Sequence, residues 1–477
     1  MTRRSALNIV LLTIDCWRGD HLGVTGATPS PTPHLDKLAA EGSVFEQAIT
    51  CGGWTRPAMM ALFSSVYASR HHGGSLKQLA PELPVVTELV KAQGYETAGF
   101  CANLVCGRSG GFHRGFDAFE DVNSDDKRVA LLRRARKIRG YNRVFLPLMC
   151  RPRIHRFLRR LGVRLDLPEY TASARRLTRS VLDWLRQPHS APLFLWAHYI
   201  DLHWPYRLSR RQHDPDQIAQ AWQDRRTYRR VVSSRGRFDP GPETRARWQA
   251  LYREELLAVD EQIGLLIDRL RRAGLWERTA LIVTSDHGEE FFEHGTWAHS
   301  WNQLFDEGIH VPLIIRVPGL PAGIRVRQQV SGLDIAPTIL DIAGIDPSAS
   351  MMGASLLPFA RDETGGETHH RPEAIVEMLG HRNSYLYRMA VRTLERRYIH
   401  DAEHPHSNKL YDRAADQHER HNVYSQDKAT ARRFDEHRFE HMAPIVPDLL
   451  ELADDASPFA DTDPEVVERL RALGYVE

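Results

Sequence analysis

The stretch NIVLLTID, Asn8 to Asp15, is a run of apolar residues that ends in a carboxylate. An unbroken apolar run of this length predicts a strand buried on both faces, as in a parallel sheet. A second run, Thr279 to Thr284, is closely followed by Asp286 and His287. Because ligands bind at the carboxyl ends of parallel strands, the sequence predicts that these two carboxylates and the imidazole share one site.

Further apolar runs alternate with helical patterns along the chain. The runs that predict strands are Glu96 to Cys101, Pro192 to His198 and Val311 to Val317, and the helical patterns are Pro33 to Glu41, Pro84 to Gln93, Thr171 to Leu185 and Arg247 to Arg272. This alternation predicts an α/β fold with a mainly parallel sheet sandwiched by helices.

The composition turns polar and glycine-rich around Arg361 to Pro372. The pattern after it predicts short strands at Met389 to Thr393, Arg397 to His400 and Lys409 to Asp412, and a helix near Pro464 to Leu473. We therefore expect a catalytic domain over residues 1–365 and a smaller C-terminal α+β subdomain with short antiparallel strands over residues 366–477.

Composition sets broad limits on function and location. The chain is 42% hydrophobic and 26% charged with a formal net charge of +2, as in an ordinary globular protein, and this balance gives no argument for nucleic acid. Five cysteines are few and odd in number, which favours a reducing, cytoplasmic compartment. We expect no signal peptide, and no run reaches the roughly 18 apolar residues of a membrane span.

A basic stretch runs from Lys127 to Arg164, where two lysines and twelve arginines occur without an acidic residue. We expect a basic helical insertion at about residues 125–168. It is either a solvated surface or a region that attracts an anionic membrane surface or a polyanionic substrate. No nucleic-acid-binding module accompanies it, so we expect no nucleic acid partner.

Thr55 lies in a glycine-rich turn, Gly52 to Thr55, that enters a helix with Pro57 in its first turn. The free N–H groups of such a helix start favour an anion, so a tetrahedral ester could lie against the threonine hydroxyl. An alcohol is a weak nucleophile unless a metal ion lowers its pKa. On the sequence alone, Thr55 is either that nucleophile or an ordinary helix cap.

The predicted strand-end residues are typical of a divalent metal site. Two carboxylates with an imidazole suit Zn²⁺, Mn²⁺ or Ca²⁺, although each aspartate could instead cap a following helix. Histidines after two strands could contact an ester or a second metal ion. They are His198 and His203, and His294 and His299. Cys101 and Cys106 are read as buried thiols.

Taken together, these motifs resemble the sulfatase branch of the alkaline phosphatase superfamily. The resemblance covers most of the chain, with the basic stretch as an insertion. It is carried by Asn8 to Gly23, Thr32 to Ala39, Gly115 to Asp121, His203 to Tyr206, Ser285 to Glu289, Glu293 to Gly295, Val311 to Arg316, Asp334 to Leu340, Leu410 to Asp412 with Glu419 and Asn422, and Leu470 to Tyr475.

The resemblance implies metal ligands at Asp15, Asp286 and His287, the nucleophile at Thr55, and ester-contacting histidines at His203 and His299. We expect the Thr55 hydroxyl to lose its proton on the metal ion, so Thr55 also belongs to the predicted metal site. Typical sulfatases make a formylglycine from cysteine or serine in Cys/Ser-x-Pro-x-Arg. Threonine cannot supply that aldehyde, and Met59 stands where the motif has arginine. Cys16 stands where many sulfatases have a second ligating aspartate.

The threonine bears on the choice of ester. A sulfated threonine lacks the exit that a formylglycine hydrate has, whereas water can attack phosphorus in a phosphothreonine. We therefore expect a hydrolase of sulfate or phosphate esters that leans toward phosphoesters. The alternatives are a true sulfuric ester hydrolase, a phosphotransferase with a lipid or glycan acceptor, and an inactive protein that binds a polyanion or membrane. The sequence does not predict an oligomeric state.

Overall fold

The fold is built on the apolar run that begins at Asn8, which forms strand β1 (Asn8–Ile14) in the computed structural model with all seven side chains buried. The structure describes residues 6–71, 78–122, 151–160, 173–206, 215–234, 238–299, 304–361, 372–378, 388–401 and 405–442. The other strands are β2 (Ser43–Ile49), β3 (Glu96–Cys101), β4 (Ala118–Asp121), β5 (Leu193–Tyr199), β6 (Thr279–Ser285), β7 (His310–Val311), β8 (Leu313–Arg316), β9 (Ile324–Ser331), β10 (Ala374–Met378), β11 (Arg388–Arg392), β12 (Arg396–Asp401) and β13 (Lys409–Asp412).

Within the described residues, β1 to β9 form one sheet in the order β4-β3-β5-β1-β6-β8-β2-β7, with β9 paired to β2. Strand β1 pairs in parallel with β5 on one side and with β6 on the other, so that Ile14 lies beside Tyr199 and Ser285. The residues that follow these three strands therefore meet at one edge of the sheet. Strand β8 runs antiparallel to both β6 and β2.

The described residues form helices that pack against the two sheets and against one another. Their bounds are α1 (Pro33–Ala40), α2 (Thr55–Ser64), α3 (Val86–Ala92), α4 (Pro152–Arg160), α5 (Ala174–Trp184), α6 (Pro215–Ser233), α7 (Pro242–Arg272), α8 (Asp306–Ile309), α9 (Ile335–Ala343), α10 (Leu357–Ala360) and α11 (Lys428–Met442). Helix α7 contacts α1 and α5, whereas α9 contacts α2 and α3. The prediction of an α/β fold with a mainly parallel sheet flanked by helices is confirmed.

Strands β10 to β13 form a second, antiparallel sheet. Its strand β10 also bonds to the loop before Thr55: the Gly53 N–H donates to the Glu377 carbonyl at 3.1 Å, and the Glu377 N–H donates to the Cys51 carbonyl at 2.9 Å. The Glu377 carboxylate is fully buried and accepts from the Ser69 N–H at 3.0 Å. The second sheet is thus bonded directly to the main-sheet region.

A buried charge cluster also joins the two sheets. The Asp306 carboxylate at the start of α8 accepts from Arg392 Nε at 2.7 Å, Arg397 Nη1 at 3.1 Å and Arg413 Nη2 at 2.9 Å. The guanidinium groups of Arg392 and Arg397 are fully buried. Three donors on one carboxylate offset the cost of removing these charges from water.

Several sequence predictions need adjustment. The run from Val311 to Val317 divides at Pro312 into β7 and β8, because proline cannot donate to a sheet ladder. The helix predicted from Arg247 begins earlier, at Pro242. The elements that were not predicted are strands β2, β4, β9 and β10 and helices α6, α8, α9, α10 and α11. The helix predicted near residues 464–473 lies outside the described residues, as does the boundary predicted at residue 365, which stays a proposal.

Of the predicted basic insertion, the structure describes residues 151–160, which include helix α4 (Pro152–Arg160). Its Phe157 is 60% exposed, and Arg156 forms an ion pair with Asp216 of α6 at 2.8 Å. Among the described helices, none is both long and apolar enough to cross a membrane. A role of residues 127–164 at an anionic surface stays a prediction.

Candidate active site

Asp15 and Asp286 directly follow β1 and β6, and both carboxylates are buried. Asp286 Oδ1 accepts from the N–H groups of Cys16 at 3.2 Å and His287 at 2.8 Å. Burial and the neighbouring Asp15 charge raise the pKa of Asp286. Burial would also raise the pKa of Asp15, but its interactions with His198, His203 and His287 hold it below the ordinary value. Two buried carboxylates side by side favour a bound cation.

The His287 ring lies between these carboxylates and Thr55. Its Nε2 is 3.8 Å from Asp15 Oδ1, 3.5 Å from Asp286 Oδ2 and 3.3 Å from Thr55 Oγ1. On the other side of the ring, Nδ1 is 2.8 Å from the Gly288 carbonyl. A carbonyl can only accept, so Nδ1 carries a proton. Although burial opposes it, the Asp286 and Asp15 carboxylates raise the pKa of His287, which favours a second proton on Nε2. A cation held by these carboxylates would take the place of that proton, as at a metal-ligating histidine.

Thr55 is the first residue of α2, and its side chain is fully buried. The N-cap is Trp54, which makes no capping side-chain bond, so Thr55 lies one residue inside the helix. Met59, at the position where the sulfatase motif has arginine, is a fully buried apolar side chain of the same helix. The Thr55 hydroxyl thus lies among site residues at a helix N-terminus.

Asn103, which the sequence analysis missed, connects the two main parts of the site. Its Nδ2 donates to Asp15 Oδ2 at 2.6 Å and lies 3.4 Å from Thr55 Oγ1. Its Oδ1 accepts from the Val105 N–H at 2.9 Å, which fixes the orientation of the amide. The available signal was its position two residues after the predicted strand Glu96–Cys101.

Three imidazole rings form a row beside the carboxylates. The His287 and His299 ring centroids are 4.5 Å apart, and those of His299 and His203 are 4.9 Å apart. Burial and the neighbouring His287 lower the pKa of His299 to about 3. Burial likewise lowers the pKa of His203, whose Nδ1 donates to the Trp204 carbonyl at 2.7 Å. Both rings are therefore neutral near pH 7.

His198 and Glu289 complete the surroundings. His198 Nε2 is 3.6 Å from Asp15 Oδ2 and its Nδ1 is 2.7 Å from Thr13 Oγ1. Although burial opposes it, the bond with Asp15 raises the pKa of His198 to about 9. Glu289, which sequence reasoning quoted but did not assign, is fully buried with Oε1 3.5 Å from His299 Nδ1. Burial raises its pKa to about 7.

Some predicted candidates lie elsewhere. His294 Nε2 is 3.2 Å from Glu307 Oε2, and its ring stacks on Phe305 with centroids 3.5 Å apart. It belongs to the contact between the sheets, not to the row of imidazoles. Cys101 and Cys106 are buried, as predicted, and their sulfur atoms are 3.4 Å apart.

The family model described as "Sulfatase" matches residues 7–345, well over half of the chain. The chain belongs to the sulfatase family. A second model, the C-terminal region of N-sulphoglucosamine sulphohydrolase, matches residues 292–438. The predicted membership of this branch of the alkaline phosphatase superfamily is confirmed.

Relatives in the sulfatase family match this chain over different lengths. Arylsulfatase K of Bos taurus is 37% identical over 136 residues, which are 28% of this chain and 25% of the bovine protein. The chain thus aligns with about a quarter of that relative's length. An ulvan-active sulfatase of Formosa agariphila is 25% identical over 441 residues, 87% of this chain and 76% of that protein.

The chain is also similar to a solved structure. The phosphonate monoester hydrolase of Agrobacterium radiobacter superposes with a TM-score of 0.69 at 21% identity, covering 93% of this chain and 96% of that one. This likeness supports the alkaline phosphatase-like fold.

The described residues fit the metal ion that family membership implies. Asp286 Oδ2 accepts no hydrogen bond from the described residues although it is buried. Side-chain atoms of Asp15, His198 and Asp286 lie within 4.8 Å of one another, and so do those of Cys16, His287 and His299. Carboxylate, imidazole and thiol are donors suited to a transition metal or zinc.

Proposed function

We propose that this sulfatase-family chain is a metal-dependent hydrolase of anionic esters in which Thr55 is the nucleophile. The observation that carries the proposal is the buried Thr55 hydroxyl, 3.3 Å from His287 Nε2 and at the start of α2. A hydroxyl in this position is next to groups that can hold a cation and at a helix end that favours an anion.

Asp15, Asp286 and His287 would hold the divalent ion, of which zinc, manganese or calcium are the candidates. A cation bound there supplies Lewis acidity that lowers the pKa of the nucleophilic alcohol and polarises the ester. The protein supplies orientation, since Asn103 donates to Asp15 and lies 3.4 Å from the Thr55 hydroxyl. The Nδ1 proton of His287 is held by the Gly288 carbonyl.

The catalytic steps follow from these positions. Thr55 Oγ1 gives up its proton and forms a bond to the central atom of the ester, and the bond from that atom to the leaving oxygen breaks. The leaving oxygen takes up one proton and departs as the alcohol. His299 is neutral near pH 7, and we assign its ring N–H a hydrogen bond to an ester oxygen, which stabilises the developing charge. The Nδ1 proton of His203 is bound by the Trp204 carbonyl, so the Nε2 of the neutral ring accepts, and we assign it the proton that Thr55 releases, which it then donates to the leaving oxygen. Water then attacks the esterified threonine, which releases the inorganic anion and restores the hydroxyl.

Phosphorus suits this second step better than sulfur. Water can attack a phosphothreonine at phosphorus, whereas a sulfated threonine cannot collapse to an aldehyde as a formylglycine hydrate does. We therefore propose phosphate or phosphonate esters as preferred substrates, on a small molecule, lipid or glycan. Transfer of the phosphoryl-linked group to a lipid or glycan acceptor is the variant in which an alcohol replaces the water.

Sulfuric ester hydrolysis is the second candidate. This candidate is supported by the relatives of the chain, which include an arylsulfatase and an ulvan-active sulfatase. An anionic glycan ester would then be the substrate. The two candidates share every residue named above and differ only in the second step, which makes them separable by kinetics.

The test is a comparison of aryl sulfate, phosphate monoester, phosphate diester and phosphonate with each divalent ion in turn. We expect turnover that is highest on a phosphorus ester. Thr55→Ala should abolish turnover, whereas the matched control Thr55→Ser keeps a hydroxyl and should retain it. Mass spectrometry of a quenched reaction should detect a phosphoryl group on Thr55. Wild-type rates in Thr55→Ala would refute the nucleophile.

Absence of hydrolysis and of bound metal in the wild-type chain would instead favour an inactive protein that binds a polyanion or membrane. Equal products with and without added alcohols would exclude the transferase.

We further propose a reducing, cytoplasmic location. The cysteines are few, and Cys101 and Cys106 keep their sulfur atoms 3.4 Å apart. Thiol titration of the chain isolated from its native compartment should find both thiols reduced.

A further inference from the structure

The thiol of Cys16 has a position that the function proposed above does not use. Its sulfur is fully buried, 2.9 Å from Asp15 Oδ1 and 3.6 Å from His299 Nδ1. Ligand atoms of Cys16, His287 and His299 all lie within 4.8 Å of one another. A thiol surrounded by a carboxylate and two imidazoles has the neighbours of a zinc ligand.

The backbone holds this thiol in an uncommon conformation. Cys16 has φ of +61°, a left-handed conformation that few residues other than glycine adopt. Two bonds fix it: the Cys16 N–H donates to Asp286 Oδ1 at 3.2 Å, and the Tyr252 hydroxyl donates to the Cys16 carbonyl at 2.8 Å. The turn directs the sulfur toward the side of β1 where the site lies.

A second observation points independently to a bound ion. Asp286 Oδ2 is buried and accepts no hydrogen bond from the described residues. A buried carboxylate oxygen without a donor is costly unless a cation satisfies it. His287 Nε2 is 3.5 Å from this oxygen, so the unsatisfied carboxylate and the cysteine and histidine donors surround the same space.

We propose that Cys16 is a thiolate ligand of the metal ion held by Asp15, Asp286 and His287, and that the site therefore selects zinc over calcium, magnesium and manganese. The inference rests on the proposed function, which requires an ion but leaves its identity open. Thiolate favours zinc, whereas calcium and magnesium take oxygen ligands. On binding, the thiol proton is released to solvent as the sulfur joins the ion.

Cobalt(II) is the probe, because a cobalt–thiolate bond gives a near-ultraviolet charge-transfer band. The metal-free full chain is titrated with cobalt and then with zinc in competition with a chelator. We expect the band in the wild type and its loss in Cys16→Ser, which keeps a hydroxyl donor toward Asp15. Zinc affinity should fall by at least about 10-fold, since even loss of an outer partner costs that much.

The control variant is Cys51→Ser. Cys51 is also buried, but its sulfur lies 3.2 Å from Ser331 Oγ and not against the row of imidazoles. It should keep the band and the wild-type zinc affinity. If Cys16→Ser does not fold, X-ray absorption at the zinc edge of the wild-type protein shows whether a sulfur ligates the metal. We expect one sulfur at about 2.3 Å from the zinc.

Two results would overturn the inference, and they differ in what else they affect. Cobalt or zinc bound without a sulfur ligand would exclude Cys16 and leave the proposed function standing. A wild-type chain that binds no divalent ion would refute both this inference and the metal-dependent function.

Discussion

Asn103→Asp tests whether the amide that links Asp15 to Thr55 contributes to turnover. The aspartate has nearly the same shape and keeps an oxygen for the Val105 N–H, which Asn103 Oδ1 now accepts at 2.9 Å. It replaces the donor that lies 2.6 Å from Asp15 Oδ2 by a second carboxylate oxygen. The perturbation therefore removes one charge-assisted hydrogen bond inside a fully buried site.

The expected loss follows from that bond. A hydrogen bond to a charged group contributes about 1.5–3 kcal/mol. Because about 1.4 kcal/mol corresponds to a tenfold change in rate, kcat/KM should fall by roughly 10- to 150-fold. Repulsion between the introduced carboxylate and Asp15 should also displace the Thr55 hydroxyl, which lowers kcat/KM further. Metal content should not fall, because the substitution adds a ligand oxygen and removes none.

The assay is kcat/KM on the best ester of the substrate panel, with bound metal and melting temperature measured on the same preparation. Asn408→Asp is the matched control. Asn408 is also buried and its Nδ2 donates to Tyr398 Oη at 3.0 Å, but it belongs to the second sheet. It should alter stability and leave kcat/KM nearly unchanged. Wild-type kcat/KM in Asn103→Asp, with Thr55→Ala inactive, would refute the role of the amide.

Three further predictions concern the metal site, the pH dependence of stability and the contact between the sheets. Asp286→Ala should lower zinc affinity by at least about 10-fold, measured by chelator competition, and an unchanged affinity would exclude it as a ligand. Burial lowers the pKa of His400 to about 4, so the unfolded chain takes up a proton near pH 6.5 before the folded chain does. Stability should fall between pH 6.5 and 4, and His400→Gln should flatten that slope in urea unfolding; equal slopes would contradict this. Asp306→Ala leaves Arg392 buried without its carboxylate and should lower the free energy of unfolding by about 3–5 kcal/mol, whereas a change within error would show the cluster to be dispensable.

The central part of the fold was predictable because its strands are buried on both faces. Strand β1 has seven buried side chains, and its sequence is apolar except for Asn8 and Thr13, so its pattern indicated a buried strand. Strand β2 was missed because Glu46 and Gln47 interrupt its apolar run and are only partly buried. Register with β5 and β6 then brought Asp15 and Asp286 together, as strand ends of a parallel sheet require.

The finer parts of the site depend on long-range contacts that no local pattern records. Asn103 follows a strand as many turn residues do, and only the fold brings its amide to Asp15, 88 positions away in sequence. The direction of the Cys16 thiol depends on a positive φ that two distant side chains hold. Thr55 was predictable as a residue at a helix start, but its distance to His287 was not.

The hydrogen bonds between β10 and the Cys51–Gly53 loop bear on how this protein can be divided. A cut between the two predicted domains would remove the Glu377 backbone partners of the segment that leads into Thr55. The compositional boundary near residue 365 is therefore unsuited as an expression boundary. Engineering that exchanges the C-terminal region for that of another protein would have to preserve this strand, or it would release the loop that leads into Thr55.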